Sequence, residues 1–82
     1  MIKILFFAQL KETLDCCELE LDGDGIAEVK DIIELLSQRG DVWAKALNAE
    51  KLMMAVNQDL AKANTQVNDG DEVAFFPPVT GG

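Results

Sequence analysis

At 82 residues the chain makes one small domain, and a hydrophobic share of 49% is enough to fold and argues against disorder. A net charge of −8 opposes nucleic-acid binding, which needs basic groups facing phosphates, and suits either a solvated acidic surface or a basic partner. The absence of histidine removes imidazole acid–base chemistry and Ser/His or Cys/His nucleophiles, and two cysteines alone leave a zinc site short of ligands.

The first residues lack the long apolar core and small-residue cleavage site of a signal peptide. No run nears the roughly 18 apolar residues of a membrane span, so a cytoplasmic protein without a membrane partner is expected. Residues 2–9 read as a strand rich in β-formers. Its alternation sets Ile2, Ile4, Phe6 and Ala8 on one face and Lys3, Leu5, Phe7 and Gln9 on the other. The second face begins and ends polar, so it is the solvent face, and it leaves Leu5 and Phe7 on a surface that a monomer would rather not expose. Residues 10–15 form a polar connection with room for a helical turn. Cys17, Leu19 and Leu21 then alternate with Glu18, Glu20 and Asp22, a half-buried strand for which a hairpin to the first strand is the simplest pairing. Neighbouring cysteines bridge only with strain, so Cys16 and Cys17 are expected as one inward and one outward thiol. Asp22-Gly23-Asp24-Gly25 is a turn; it has the start of a calcium loop without the later ligands.

Residues 28–39 are the clearest helix. Val29, Ile32, Ile33 and Leu36 fall at i, i+3, i+4 and i+7 as one apolar stripe, which Leu35 widens. Glu28 and Arg39 suit the helix dipole, and Gly40 is the expected stop. Asp41 is placed to cap a second, short helix in which Trp43 and Leu47 share a face. Residues 52–56 are an apolar run short enough for a buried strand, residues 57–59 a turn, Leu60 and Ala61 a brief edge segment, and residues 64–70 a loop. In the last strand Val73 and Phe75 alternate with Glu72, Ala74 and Phe76, so Phe76 points outward if Val73 and Phe75 face the core. This order, with the first and last strands parallel at the sheet centre, gives an α+β fold over residues 1–76. It is a β-grasp, ubiquitin-like roll with a mixed sheet, one main helix and a second short helix. One sheet face is covered; the other is open and carries Phe7 and Phe76.

Pro77 and Pro78 cannot donate backbone hydrogen bonds, so sheet pairing should stop there, and each pushes the preceding residue toward extended geometry. Residues 77–82 are expected as a flexible tail reaching roughly 20 Å. Gly81 and Gly82 have no side chains, so such a tail can thread a narrow passage and present its carboxylate. A carboxylate is a poor acyl donor until activated, and a glycine carbonyl has no β-carbon to obstruct a nucleophile. No Gly-rich phosphate cradle follows a strand, and the abundant Asp and Glu read as surface charge.

With residues 1–9, Ala55-Val56-Asn57-Gln58 and residues 69–82, the chain resembles the small subunits of molybdopterin synthase, ubiquitin-like sulfur carriers. The resemblance runs the full length, with residues 16–26 matching in pattern only. It implies that Gly82, with Gly81 before it, is the working end, adenylated and then converted to a thiocarboxylate. It implies that Phe7, Leu60, Phe76, Pro77, Pro78, Val79 and Thr80 bind the partner. That partner is the large catalytic subunit, in a heterotetramer of two large and two small subunits, and it supplies the catalytic side chains. An E1-like adenylating enzyme using ATP and a persulfide sulfur donor complete the cycle; the carrier itself binds no metal and no cofactor. Rival readings are a carrier for thiazole synthesis or tRNA thiolation, a modifier joined to lysines, and an interaction module with an inert tail. The segment from Phe75 to Thr80 and the Phe7 surface favour the molybdopterin branch.

Overall fold

The chain runs β1 (Ile2–Phe6), α1 (Ala8–Leu14), β2 (Glu18–Leu21), α2 (Val29–Ser37), α3 (Asp41–Leu47), β3 (Met53–Val56), β4 (Asp59–Ala61) and β5 (Glu72–Phe76). The computed structural model describes residues 1–49 and 51–77. The strands form one mixed sheet in the order β2-β1-β5-β3-β4. At its centre β1 and β5 run parallel, while β1–β2, β3–β5 and β3–β4 are antiparallel. This is the β-grasp arrangement.

The inward half of each alternation builds the core. Ile2, Ile4 and Phe6 of β1 and Val73 and Phe75 of β5 are buried, and Val29, Ile32 and Leu36 of α2 cover them. Phe6 lies against Phe75 with ring centroids 6.1 Å apart and meets Trp43 of α3 edge-on at 5.6 Å. Aromatic pairs of this kind contribute about 0.5–1.5 kcal/mol beyond area burial. The Arg39 guanidinium sits 4.9 Å from the centre of the Trp43 ring, closing the edge of the core with a cation–π contact. At the start of α2 the Asp31 carboxylate accepts the N–H groups of Ala27 and Glu28, each at 2.9 Å, which satisfies donors that the first helical turn leaves free. Those two bonds, the Ala27 one first, hold the Asp31 carboxyl below the usual carboxylate range.

Several expectations are corrected. The first strand ends at Phe6, not at residue 9, because Ala8 takes a left-handed φ of 54° and turns the chain into a helix. The stretch read as a polar connection is α1, whose Leu10 and Leu14 lie one turn apart and are both buried. Three helices, rather than one main and one short, therefore lie among the described residues. In α2, Ile33 is only half-buried and Leu35 is 43% exposed, so the apolar stripe is narrower than read. Gly40, at φ 149°, is the residue that caps the start of α3 rather than the stop of α2, and Asp41 is the first helical residue. One thiol is inward and one outward, but Cys16 is the half-buried one and Cys17 is exposed, against the alternation that grouped Cys17 with Leu19 and Leu21. Within the loop of residues 64–70, Val67 is buried, drawn in by its N–H bond to the Ala27 carbonyl at 2.8 Å.

Candidate functional site: the open sheet face

The strand registers fix which side chains share the uncovered face. Leu5 pairs with Glu18 on one side and Ala74 on the other; Ala74 pairs with Ala55, and Ala55 with Leu60. One row of residues thus crosses all five strands, apolar everywhere except at the β2 edge. Because Ile4, Val73 and Val56 are buried beside it, the row must face away from the helices. The next row pairs Phe76 with Met53. Phe7 continues it: its backbone is extended, and its N–H donates to the Phe75 carbonyl at 3.2 Å, one step beyond the last β1–β5 pair. The row at the opposite end is polar, Glu20 with Lys3 and Lys3 with Glu72, and Lys3 Nζ stands 3.5 Å from Glu18 Oε2.

The face is therefore graded, from charges at one end to exposed hydrophobics at the other, where β5 leaves the sheet. Phe7 is 48% and Leu60 73% exposed, while Leu5, Met53, Ala74 and Phe76 are half-buried by one another's strands. A contiguous apolar surface of this kind on a small acidic domain has the character of an interaction site rather than of scattered exposure.

Leu60 owes its position to a hairpin. Asn57 and Gln58 both take positive φ, 51° and 73°, in the two-residue turn between β3 and β4. The Asn57 side chain then spans to the start of β5, accepting the Glu72 N–H at 3.0 Å and donating to Asp71 Oδ1 at 3.0 Å, while its backbone N–H donates to the Glu72 carbonyl at 2.7 Å. Bonds from the Asn68 N–H and, after it, Asn57 hold the Asp71 carboxyl below its usual range. The β3–β4 hairpin is thereby pinned to the strand that leads to the chain's last residues.

Of the residues assigned to partner binding, Phe7, Leu60 and Phe76 are brought to this one face, and Pro77 follows Phe76 directly at its rim, half-buried. Pro78, Val79, Thr80, Gly81 and Gly82 lie outside the described residues. Sequence reasoning missed Met53 and Ala55 as members of the face. Residues 52–56 are apolar on both sides of their alternation, so the run reads as a buried strand, and only the pairing partners separate Met53 and Ala55 from Met54 and Val56. Among the described residues no cluster of three or more His, Cys, Asp or Glu is placed to hold a metal ion, and no helix is long and apolar enough to cross a membrane. The face can bind; its side chains offer no nucleophile or base aimed at a common point.

A protein-family model described as the ThiS family matches residues 4–82. A molybdopterin synthase sulfur carrier subunit of Haemophilus influenzae is 46% identical over 82 residues, which is 100% of both chains. A protein of the same description from Escherichia coli is likewise 46% identical over the whole of both. Among solved structures, the crystal structure of SAMP1 from Haloferax volcanii superposes with a TM-score of 0.76 at 27% identity, covering 99% of this chain and 98% of that one.

Proposed function

The chain belongs to the ThiS family and is a sulfur carrier subunit of molybdopterin synthase in molybdenum cofactor biosynthesis, and from that premise we propose that the Gly82 carboxylate is the group that carries the sulfur. The course of β5 carries this reading. It runs through the sheet centre and leaves at the apolar end of the open face, so a partner seated on that face also meets Pro77, after which only five residues of the sequence follow. Residues 1–76 act as the handle and residues 77–82 as the arm.

The carrier forms a complex with the large subunit of the synthase, and the assembly is two large and two small subunits. Phe7, Leu60 and Phe76 dock on the large subunit, and Pro77, Pro78, Val79 and Thr80 guide the arm into its catalytic centre. An E1-like enzyme first joins the Gly82 carboxylate to the α-phosphate of ATP and releases pyrophosphate. The outer sulfur of a donor persulfide attacks the acyl carbon and displaces AMP, giving an acyl disulfide with the donor. A second thiol then attacks the donor's own sulfur, forms a disulfide with it and releases Gly82 as a thiocarboxylate. In the large subunit that sulfur passes to cyclic pyranopterin monophosphate; two sulfurs make one dithiolene, so two charged carriers are consumed per molybdopterin. Gly81 and Gly82 keep the arm narrow and the acyl carbon open to attack. The carrier holds no cofactor of its own, since ATP serves the activating enzyme. The free thiols of Cys16 and Cys17 suit a reducing cytoplasm. Lys or Arg lining the partner's channel would attract an acidic carrier and stabilise the charge that develops during transfer.

Incubation with ATP, the activating enzyme and a sulfur donor, followed by mass measurement, tests this. The wild-type chain should gain the mass difference of one oxygen replaced by sulfur, and a Gly82 deletion should not. Gly81→Val should stall transfer in the synthase, because a β-branched side chain stiffens and widens a segment whose positioning is sensitive to about an ångström. A Gly82-deleted carrier that still supports dithiolene formation at the normal rate excludes the carboxylate as the sulfur-bearing group.

A further inference from the structure

A second apolar concavity lies around the corner from the open face. It is a cleft of about 200 Å³ between α1, α3 and the exit of β5, walled by Leu10, Thr13, Ala46, Ala49, Leu52 and Pro77. Its rim is joined to the open face by the backbone itself. Leu52 leads into Met53, Pro77 follows Phe76, and Met53 and Phe76 are register partners. Small residues make the space: Ala46 and Ala49 leave room beside Leu10 where larger side chains would close it. An enclosed apolar cavity of roughly 150 Å³ accepts a benzene ring, so this cleft has the size for one aromatic or branched aliphatic side chain.

We infer that the large synthase subunit inserts one such apolar side chain into this cleft, beside the root of the arm. The inference rests on the proposal that the open face docks the large subunit. Three observations favour this occupant. The cleft is continuous with that face, so a partner covering Phe76 and Met53 already reaches its rim. Pro77 forms part of the wall, so a knob seated there touches the first residue of the arm and fixes where it starts. The chain's own arm is a poor filler, because a proline at position 78 restricts Pro77 to extended geometry, which disfavours a turn back at that residue. Seating one anchored side chain in a dry notch is also the usual way that an interface concentrates its affinity.

The test uses the full-length carrier and the purified large subunit. Thr13→Trp and Ala49→Trp fill the cleft from positions that are exposed in the free chain, so both should keep the wild-type unfolding midpoint. Each should weaken binding by tenfold or more in titration calorimetry, while Glu34→Trp, exposed on α2, should bind like wild type. In the wild-type complex, intermolecular NOEs should connect the Ala46 and Ala49 methyls to an aromatic or methyl group of the large subunit. Wild-type affinity in both filled variants, alongside a weakened Phe7→Ala, overturns the cleft and leaves the open-face docking intact. Weakened filled variants alongside an unaffected Phe7→Ala and Leu60→Ala support the cleft and sink the open-face docking. NOEs from the Val79 methyls of the same chain that persist in the complex assign the cleft to the arm and overturn the inference.

Discussion

Replacing Leu60 by Ala isolates binding from folding. The change removes three carbon groups, worth about 0.8 kcal/mol each when fully buried, or about 2.4 kcal/mol together. Leu60 is 73% exposed in the free chain, so little of that contributes to folding and roughly three-quarters is left for a partner to gain. The expected loss is about 1.8 kcal/mol, close to a 20-fold weaker complex. Phe7, although larger, is 48% exposed. Full burial of a Phe side chain is worth about 1.5–3 kcal/mol, so Phe7→Ala should cost the complex about half of that, some 3- to 12-fold. Titration calorimetry with the large subunit measures both losses, and urea unfolding followed by Trp43 fluorescence checks that Leu60→Ala moves stability by no more than about 0.7 kcal/mol. A Leu60→Ala carrier that binds within about twofold of wild type refutes the reasoning, as does one whose lost affinity is matched by lost stability.

Ile32→Ala should destabilise the fold by about 2–5 kcal/mol, since Ile32 is fully buried on the inner face of α2; an unfolding free energy reduced by less than about 1 kcal/mol contradicts that packing. Asn57→Gly keeps the positive φ but loses both side-chain bonds to β5, whereas Asn57→Ala also strains the turn, so chemical denaturation should find the Ala variant the weaker by roughly 1 kcal/mol. Asp31 is held below its usual pKa in the folded chain, so its contribution is present above the unfolded value and disappears as pH falls through the folded one. Denaturant midpoints of wild type and Asp31→Asn should therefore converge in acid and separate toward neutral pH.

Period-two and period-3.6 patterns were legible wherever an element has one wet and one dry side. Ile2, Ile4 and Phe6, and again Val73 and Phe75, announced their inward faces, and Val29, Ile32 and Leu36 announced theirs. The helix α1 was illegible because seven residues carry one i, i+4 apolar pair, and because Ala8 enters it through a conformation that no alanine signals. Cys17 broke its pattern because the chain enters β2 only at Glu18. Of the site, Leu5, Phe7, Phe76 and Leu60 could be singled out, the last through resemblance. The row from Leu5 to Leu60 could not, because cross-strand register is set by the Asn57 turn and by parallel pairing of strands far apart in the chain. The cleft depends on two alanines, which read as helix formers and not as a void.

The parallel pairing of β1 with β5, Lys3 beside Glu72 through Phe6 beside Phe75, also governs when the molecule can exist at all. Before β5 arrives, the chain offers a β1–β2 hairpin and a β3–β4 hairpin with nothing between them, and isolated two-stranded hairpins are marginal in water. Closure must span almost the whole sequence, which makes docking of β5 a late and slow event on the folding path. A nascent or truncated chain that stops short of Glu72 should stay open to proteases. The strand that leads into residues 77–82 is also the one that completes the sheet, so synthesis errors that lose those residues together with β5 remove themselves before they can occupy a partner.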